Sequence, residues 1–155
     1  MQIAKTVSSI RRLIQKNRAK NKTIGFVPTM GALHEGHLSL IRASKKQNDV
    51  TVLSIFVNPT QFSPTEDFTK YPRTLSQDLL LAKKEKVDII FYPSAEEIYH
   101  QGYSTSIDIE KISNTLCGRF RPGHFRGVAT VVVKLLNIVS PDKMYLGQKD
   151  RKSVV

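Results

Sequence analysis

The stretch PTMGALHEGH occupies residues 28–37 and lies between two segments of different periodicity. The apolar run TIGFV at 23–27 is typical of a buried strand, whereas LSLIRAS at 38–44 is typical of a helix. Glycines at positions 31 and 36 allow the connecting turn to approach a ligand closely, because glycine has no Cβ. Turns of this kind are common in α/β proteins. The stretch is therefore stronger evidence for that fold class than for a ligand site.

Two histidines, His34 and His37, stand at the predicted helix start, three positions apart, so that they share one helical face. A helix start presents unpaired backbone N–H groups and the positive end of the helix dipole, which attract phosphate oxygens. Purely structural histidines and a metal pair are the alternatives. A zinc site usually needs three or four ligands, and the chain adds only one cysteine, His100 and His124. We therefore favour a phosphate site.

Composition narrows the class of protein. A chain of 155 residues is normally one domain, and 24 Lys plus Arg against 13 Asp plus Glu give a net charge of +11, which implies affinity for anions. The single cysteine, Cys117, excludes an internal disulfide and favours a reducing compartment. No apolar run approaches the roughly 18 residues of a membrane span, and the N-terminus does not resemble a secretory signal. We expect a cytoplasmic protein without a membrane partner.

Periodicity along the rest of the chain predicts strands alternating with helices. The predicted helices are 3–20, 37–48, 75–86, 94–99 and 128–139, and the predicted strands are 23–28, 50–57, 87–92, 104–109 and 143–146. This order predicts an α/β fold: a doubly wound, mostly parallel, Rossmann-like sheet of about five strands with helices on both faces. We expect residues 1–155 to form one nucleotide-binding domain.

Polar residues follow the strand predicted at 50–57. Asn58 and Gln61 come directly after it, and ligands of open α/β sheets bind at the carboxyl ends of the strands. The alternative is an ordinary turn that begins with asparagine. Both interpretations remain open at this point.

Two further stretches are dense in charge. RFRPGHFRG at 119–127 precedes the apolar helix predicted at 128–139, so its arginines lie at another positive helix end. This position favours an anion site over a mobile basic loop. GQKD at 147–150 follows the last predicted strand, just as MGALHEGH at 30–37 follows the strand predicted at 23–28. Lys149 is placed to reach a phosphate, and Asp150 to reach a hydroxyl or backbone N–H groups.

PTMGALHEGH resembles the nucleotide-binding signature of the pantoate–β-alanine ligase (pantothenate synthetase) family, a branch of the HIGH-type nucleotidyltransferases. Further matches follow in the family's order and extend the likeness over about residues 3–150: SIFVNPTQF at 54–62, YPRT at 71–74, DLLLA at 78–82, CGRFRPGHFRGVATVVVKL at 117–135 and PDKMYLGQKD at 141–150. The resemblance implies ATP-dependent condensation of pantoate with β-alanine through a pantoyl adenylate. It also implies Mg²⁺ with ATP and a homodimer. No nucleic-acid partner is expected, because the charges are scattered and are not interleaved with stacking aromatic residues.

The resemblance also implies roles for individual positions. The ATP site is expected to comprise Met30, Gly31, Ala32, Leu33, His34, Glu35, Gly36, His37, Gly147, Gln148, Lys149 and Asp150. His34, His37 and Lys149 form the expected catalytic set: the histidines hold phosphates, and His37 is also a candidate general acid toward pyrophosphate. Lys149 is expected on phosphate and Asp150 near the ribose. The expected pantoate and β-alanine pocket comprises Gln61, Asn58, Arg121 and His124.

The chain departs from the family pattern after residue 150. The family continues with a glutamine-bearing helix, one of whose glutamines contacts pantoate, and here Ser153 stands at that place after Arg151 and Lys152. The family's later serine- and arginine-bearing loop and its C-terminal lid domain have no counterpart in these 155 residues. The expectation is a nucleotide-binding domain with weakened catalysis, and the alternative is a module that binds ATP or pantoate without turnover.

Overall fold

The computed structural model describes residues 1–62, 68–111, 113, 115 and 117–147, with the side chain of residue 117 excepted. Five strands form one sheet: β1 (Gln2–Ala4), β2 (Ile24–Thr29), β3 (Val50–Ile55), β4 (Ile89–Phe91) and β5 (Lys143–Met144). Among the described residues, six α-helices connect or flank them: α1 (Val7–Arg18), α2 (Glu35–Gln47), α3 (Leu75–Lys84), α4 (Ala95–Ile98), α5 (Cys117–Phe120) and α6 (His124–Val139). Short 3-10 turns lie at Pro59–Gln61 and Phe68–Lys70.

The strand order is β1-β4-β3-β2-β5, and every strand pair is parallel. Along the chain, β2, β3 and β4 step in one direction across the sheet, whereas β5 pairs with β2 on the opposite side. The winding therefore reverses between β2 and β5, and open α/β sheets bind ligands at the carboxyl ends of the strands beside such a reversal. This position is flanked by the loop after β2 and by the residues after β5.

Helices cover both faces of the sheet. Successive strand residues point to opposite faces, so Val52 belongs to one core cluster and Leu53 to the other. The first cluster packs α1 and α6 on the sheet through Ile10, Ile14, Phe26, Val131, Leu135 and Val139. The second packs α2 and α3 through Leu38, Ile41, Val27, Ile90 and Ala82. The predicted doubly wound α/β fold is confirmed.

Two predicted elements are wrong. The helix expected at 3–20 is instead β1 followed by α1, because Thr6 caps α1: its Oγ1 accepts from Ser9 N–H at 3.1 Å while Ser9 Oγ accepts from Thr6 N–H. Residues 104–109 form no strand; the backbone N–H of Ile107 donates to the Thr130 hydroxyl at 2.9 Å rather than to a neighbouring strand. The five-stranded sheet therefore contains β1 in place of the strand expected at 104–109.

In the described part of the chain, no helix combines the length and the apolar character needed to cross a bilayer.

Candidate active site

The loop that follows β2, residues 30–37, is called the signature loop below. Gly31 and Ala32 adopt left-handed backbone conformations, with φ of 86° and 50°. The Thr29 hydroxyl accepts from Gly31 N–H at 3.2 Å and donates to the Ser54 carbonyl at 2.7 Å, which ties the turn to β3. A Cβ at Gly31 would lie 3.2 Å from Ile55, so the turn packs tightly on the end of β3 and requires glycine there.

Asp78, the first residue of the DLLLA match at 78–82, binds the backbone of the signature loop, although the sequence predicts no site role for it. This α3 residue is 2% exposed, and its carboxylate accepts from Ala32 N–H at 3.1 Å and Leu33 N–H at 2.8 Å. The Thr74 hydroxyl donates to the same carboxylate at 3.3 Å. Burial raises the pKa of the Tyr71 hydroxyl, and the negative charge of Asp78 raises it further. Asp78 also lies on the helical stripe that holds Leu75 and Ala82, where a charged residue is unusual.

His34 and His37 lie side by side at the start of α2, with ring centroids 4.0 Å apart. His34 is the N-cap residue: its Nδ1 accepts from Gly36 N–H at 3.1 Å, and His37 Nδ1 accepts from His34 N–H at 3.4 Å. Because Nδ1 of each ring is an acceptor, this pattern assigns the proton of each neutral imidazole to Nε2. Two N–H donors thus stand beside the positive end of a 13-residue helix.

Glycine at position 36 fixes where the His34 ring can lie. A Cβ at Gly36 would lie 2.9 Å from His34 Cε1, so any larger residue displaces the imidazole. The neighbouring Glu35 forms an exposed ion pair with Arg42, which also binds Glu85. These two carboxylates raise the pKa of Arg42 further above its already high value. The negative charge of Glu35 at the helix start is therefore balanced by the guanidinium group of Arg42.

Gln61 connects the signature loop to the 3-10 turn after β3. Its side chain is 8% exposed, and its Nε2 lies 3.1 Å from Met30 Sδ. Asn58, which is 1% exposed, donates through Nδ2 to Gln61 Oε1 at 3.2 Å and to the Gly127 carbonyl at 3.1 Å. Asn58 Oδ1 accepts from the Tyr99 hydroxyl at 2.7 Å. The Asn58 amide is thus engaged at both ends and orients Gln61 so that its NH2 group faces Met30.

The start of α6 packs against the same turn. His124 Nδ1 lies 2.8 Å from the Gln61 carbonyl, so it donates, and Nε2 is left to accept from Arg121 Nη1 at 3.2 Å. A Cβ at Gly127 would lie 2.3 Å from the Thr60 carbonyl oxygen, which shows how closely the helix approaches the turn. The structure therefore brings together Met30, Asn58, Gln61, Arg121 and His124, all five predicted from sequence.

The sequence model of the pantoate-beta-alanine ligase family matches residues 2–155. The chain belongs to the pantoate–β-alanine ligase family. It is 59% identical over 150 residues to the pantothenate synthetase of Pseudothermotoga lettingae and 54% identical over 154 residues to that of Caldicellulosiruptor bescii. These alignments cover 97% and 99% of the chain but 53% and 55% of the relatives, so the chain spans about half of their length.

Solved structures of the ligase family agree with this assignment. Pantothenate synthetase from Thermus thermophilus superposes with a TM-score of 0.91 at 41% identity, over 99% of this chain and 54% of that one. The Francisella tularensis ligase, described as a complex with beta-gamma ATP and β-alanine, gives a TM-score of 0.92 at 46% identity, over 99% of this chain and 59% of that one. The family likeness therefore extends from the motifs to the backbone.

On the other side of the winding reversal, Gly147 follows β5 and lies near α2: a Cβ there would be 3.9 Å from Leu40 Cδ1. The remaining ligase-family positions of this stretch, Gln148, Lys149 and Asp150, lie outside the described residues.

A cavity of about 260 Å³ opens at the carboxyl ends of β3 and β4. Its lining includes Met30 and Asp78 but neither His34 nor His37. Met30 therefore contacts both this cavity and the Gln61 amide.

Among the described residues, no group of three or more His, Cys, Asp or Glu side chains is arranged to hold a metal ion. The Asp78 carboxylate is already occupied by two backbone N–H groups and a hydroxyl, and the Glu35 carboxylate within the signature loop is paired with Arg42. The described residues alone therefore do not fit a resident Mg²⁺ site.

Proposed function

We propose that residues 1–155 form the nucleotide-binding domain of a pantoate–β-alanine ligase and take part in the ATP-dependent condensation of pantoate with β-alanine. The observation that carries this proposal is the position of Gln61. Its side-chain NH2 group contacts the signature loop at Met30, and its backbone carbonyl contacts the start of α6 at His124. The loop that leads to the proposed phosphate-binding helix start and the proposed polar pocket for an organic acid are thereby connected through one residue.

The nucleotide side follows from the start of α2. The Nε2–H groups of His34 and His37, together with the backbone N–H groups of the helix start, offer donors to triphosphate oxygens. When the carboxylate of pantoate attacks the α-phosphate, negative charge increases on the transferred group and on departing pyrophosphate, and fixed donors stabilise that charge. We assign this role to both histidines, proton donation to pyrophosphate to His37, and a phosphate contact to Lys149.

The acceptor side follows from the orientation of Gln61. Since Asn58 occupies Gln61 Oε1, the NH2 group of Gln61 is the end that can donate to a carboxylate or hydroxyl oxygen of pantoate. We therefore assign Gln61 to ligand contact and Asn58 to holding Gln61. The Arg121 guanidinium attracts the two carboxylate substrates, and His124 holds the turn against α6.

Magnesium is proposed only as a companion of ATP. Mg²⁺ in nucleotide sites is commonly bound through substrate phosphates and water. Because the described residues form no carboxylate cluster, we propose that the ion arrives with the triphosphate. We also propose a homodimer and a cytoplasmic location, which rest on the family likeness and on the single cysteine. Sedimentation equilibrium tests the dimer.

Pantoate-dependent exchange of labelled pyrophosphate into ATP tests the first half-reaction. We expect exchange by the wild-type chain, and a decrease of about 10²–10³-fold in H37N, the effect typical of removing one transition-state donor. H100N is the matched control, since His100 is exposed and lies after α4 rather than on the signature loop. Absence of exchange at high protein concentration, or equal rates in H37N and H100N, would contradict the proposed catalytic role.

Binding of ATP or pantoate without turnover is the second candidate, because the donors at the start of α2 and the Gln61 amide are sufficient for binding. Calorimetry separates the two candidates: heat of ATP or pantoate binding without pyrophosphate exchange supports the binding module.

A further inference from the structure

Asp78 is a buried carboxylate that lies between α3 and the signature loop and also lines the cavity at the carboxyl ends of β3 and β4. Carboxylates are costly to remove from water unless they are paired or hydrogen-bonded. In the described part of the chain, no basic side chain forms an ion pair with Asp78. Its negative charge is met instead by the backbone N–H groups of Ala32 and Leu33 and by the Thr74 hydroxyl.

The backbone that Asp78 binds is the part of the signature loop that is least favourable by itself. Ala32 has a φ of 50°, a left-handed conformation that alanine rarely adopts, and it follows left-handed Gly31. Such a conformation persists only where surrounding contacts hold it. The bonds from Ala32 and Leu33 to the buried carboxylate supply that restraint.

The restraint acts immediately before the His34 cap. Leu33 is buried against α2, and the next residue places its imidazole over Gly36 and beside His37. A change in the peptide geometry at residues 32 and 33 therefore moves the ring that begins α2. The Nε2–H groups of His34 and His37 are preorganised for phosphate only if the loop already holds both rings in place before the ligand binds.

We propose that Asp78 is a positioning residue that sets the conformation of the signature loop for nucleotide binding without contacting the nucleotide itself. This inference rests on the proposed function of the loop. Asparagine at position 78 preserves size but presents an NH2 group to one of the two backbone donors. At least one of the two hydrogen bonds is then replaced by a donor–donor contact.

The test compares D78N with D49N in the same chain. Asp49 is an exposed carboxylate just before β3 that also accepts from a backbone N–H and a hydroxyl, those of Thr23, at 2.9 and 2.8 Å. We expect D78N to weaken ATP binding at least about tenfold by calorimetry. We also expect faster hydrogen exchange at the Ala32 and Leu33 amides, with both quantities unchanged in D49N.

The outcomes separate the inference from the proposed function. If the wild-type chain binds no ATP, the proposed function fails, and unchanged exchange at residues 32 and 33 in D78N would independently overturn the restraint. If the wild type binds ATP and folded D78N binds it equally well, the inference alone is wrong. Should D78N not fold, T74V removes one donor from the same carboxylate. A partial acceleration of exchange at Ala32 then supports the inference, and no change contradicts it.

Discussion

Substitution of Gly127 by alanine sets two physical effects against each other. Inside a helix, alanine is favoured over glycine by about 1 kcal/mol, so helix propensity alone predicts a more stable protein. In the structure, however, a Cβ at Gly127 would lie 2.3 Å from the Thr60 carbonyl oxygen and 2.7 Å from Gln61 Cα. Both are backbone atoms of a turn that is held by Asn58, so neither can rotate away as a side chain would.

The expected magnitude follows from these contacts. Overpacking typically costs 1–3 kcal/mol, and we use about 3 kcal/mol because the clash is with backbone. Subtracting the propensity gain leaves a destabilisation of about 2 kcal/mol, which corresponds to a fall in Tm of roughly 4–8 °C for a domain of this size. Because α6 must move away from Gln61, the affinity for pantoate should fall as well.

Thermal unfolding followed by circular dichroism measures the first effect, and calorimetry with pantoate measures the second. N137A is the matched control, because Asn137 is exposed on the same helix and alanine there gains propensity without a clash. We expect its Tm to stay level or to rise slightly. A Tm for G127A equal to or above that of the wild type would refute the close approach of α6 to the turn.

Two further predictions concern the two ends of β2. G36A should retain or raise Tm, because alanine favours the helix. It should also weaken ATP binding about tenfold in calorimetry, because the added Cβ displaces the His34 ring. Unchanged affinity would contradict the placement of that ring. Hydrogen bonds from the Thr23 N–H and hydroxyl lower the pKa of Asp49. At pH values above the unfolded-state pKa, near 3.9, the ionised carboxylate therefore stabilises the fold, and this contribution is lost as the pH falls through the lowered folded-state pKa. Urea unfolding between about pH 5 and pH 2 should therefore show a smaller loss of stability in D49N than in the wild type, and parallel curves would disprove the linkage.

The sequence was sufficient for the main elements of the fold because their patterns are local. The apolar run before the signature loop and the helical spacing after it identify β2 and α2 without knowledge of any distant contact. β1 was missed because Ile3 and Val7 fit the helical spacing of α1, whereas the pairing of Gln2 with Ile89 is visible only in three dimensions. The alternation at 104–109 predicts a strand, but alternation does not supply a neighbouring strand to pair with.

The predicted site was limited in the same way. Residue types indicate Gln61, His124 and the histidine pair as candidates, since each stands at a strand end or helix start. They do not indicate Asp78, whose hydrogen bonds to the signature loop depend on how α3 packs against that loop. Nor did they separate Asn58 from Gln61, because only the structure shows that both ends of the Asn58 amide are already bonded.

The reversal of winding has a consequence for cooperativity. β5 is the shortest strand in the described sheet and lies at one of its edges: Lys143 and Met144 pair with Gly25 and Phe26 of β2, and Asp142 N–H donates to the Ile24 carbonyl at 2.9 Å. A ligand that contacts the loop after β2 and the residues after β5 would link two segments that lie far apart in the chain. Its occupancy would then determine whether that edge unfolds with the rest of the sheet or ahead of it.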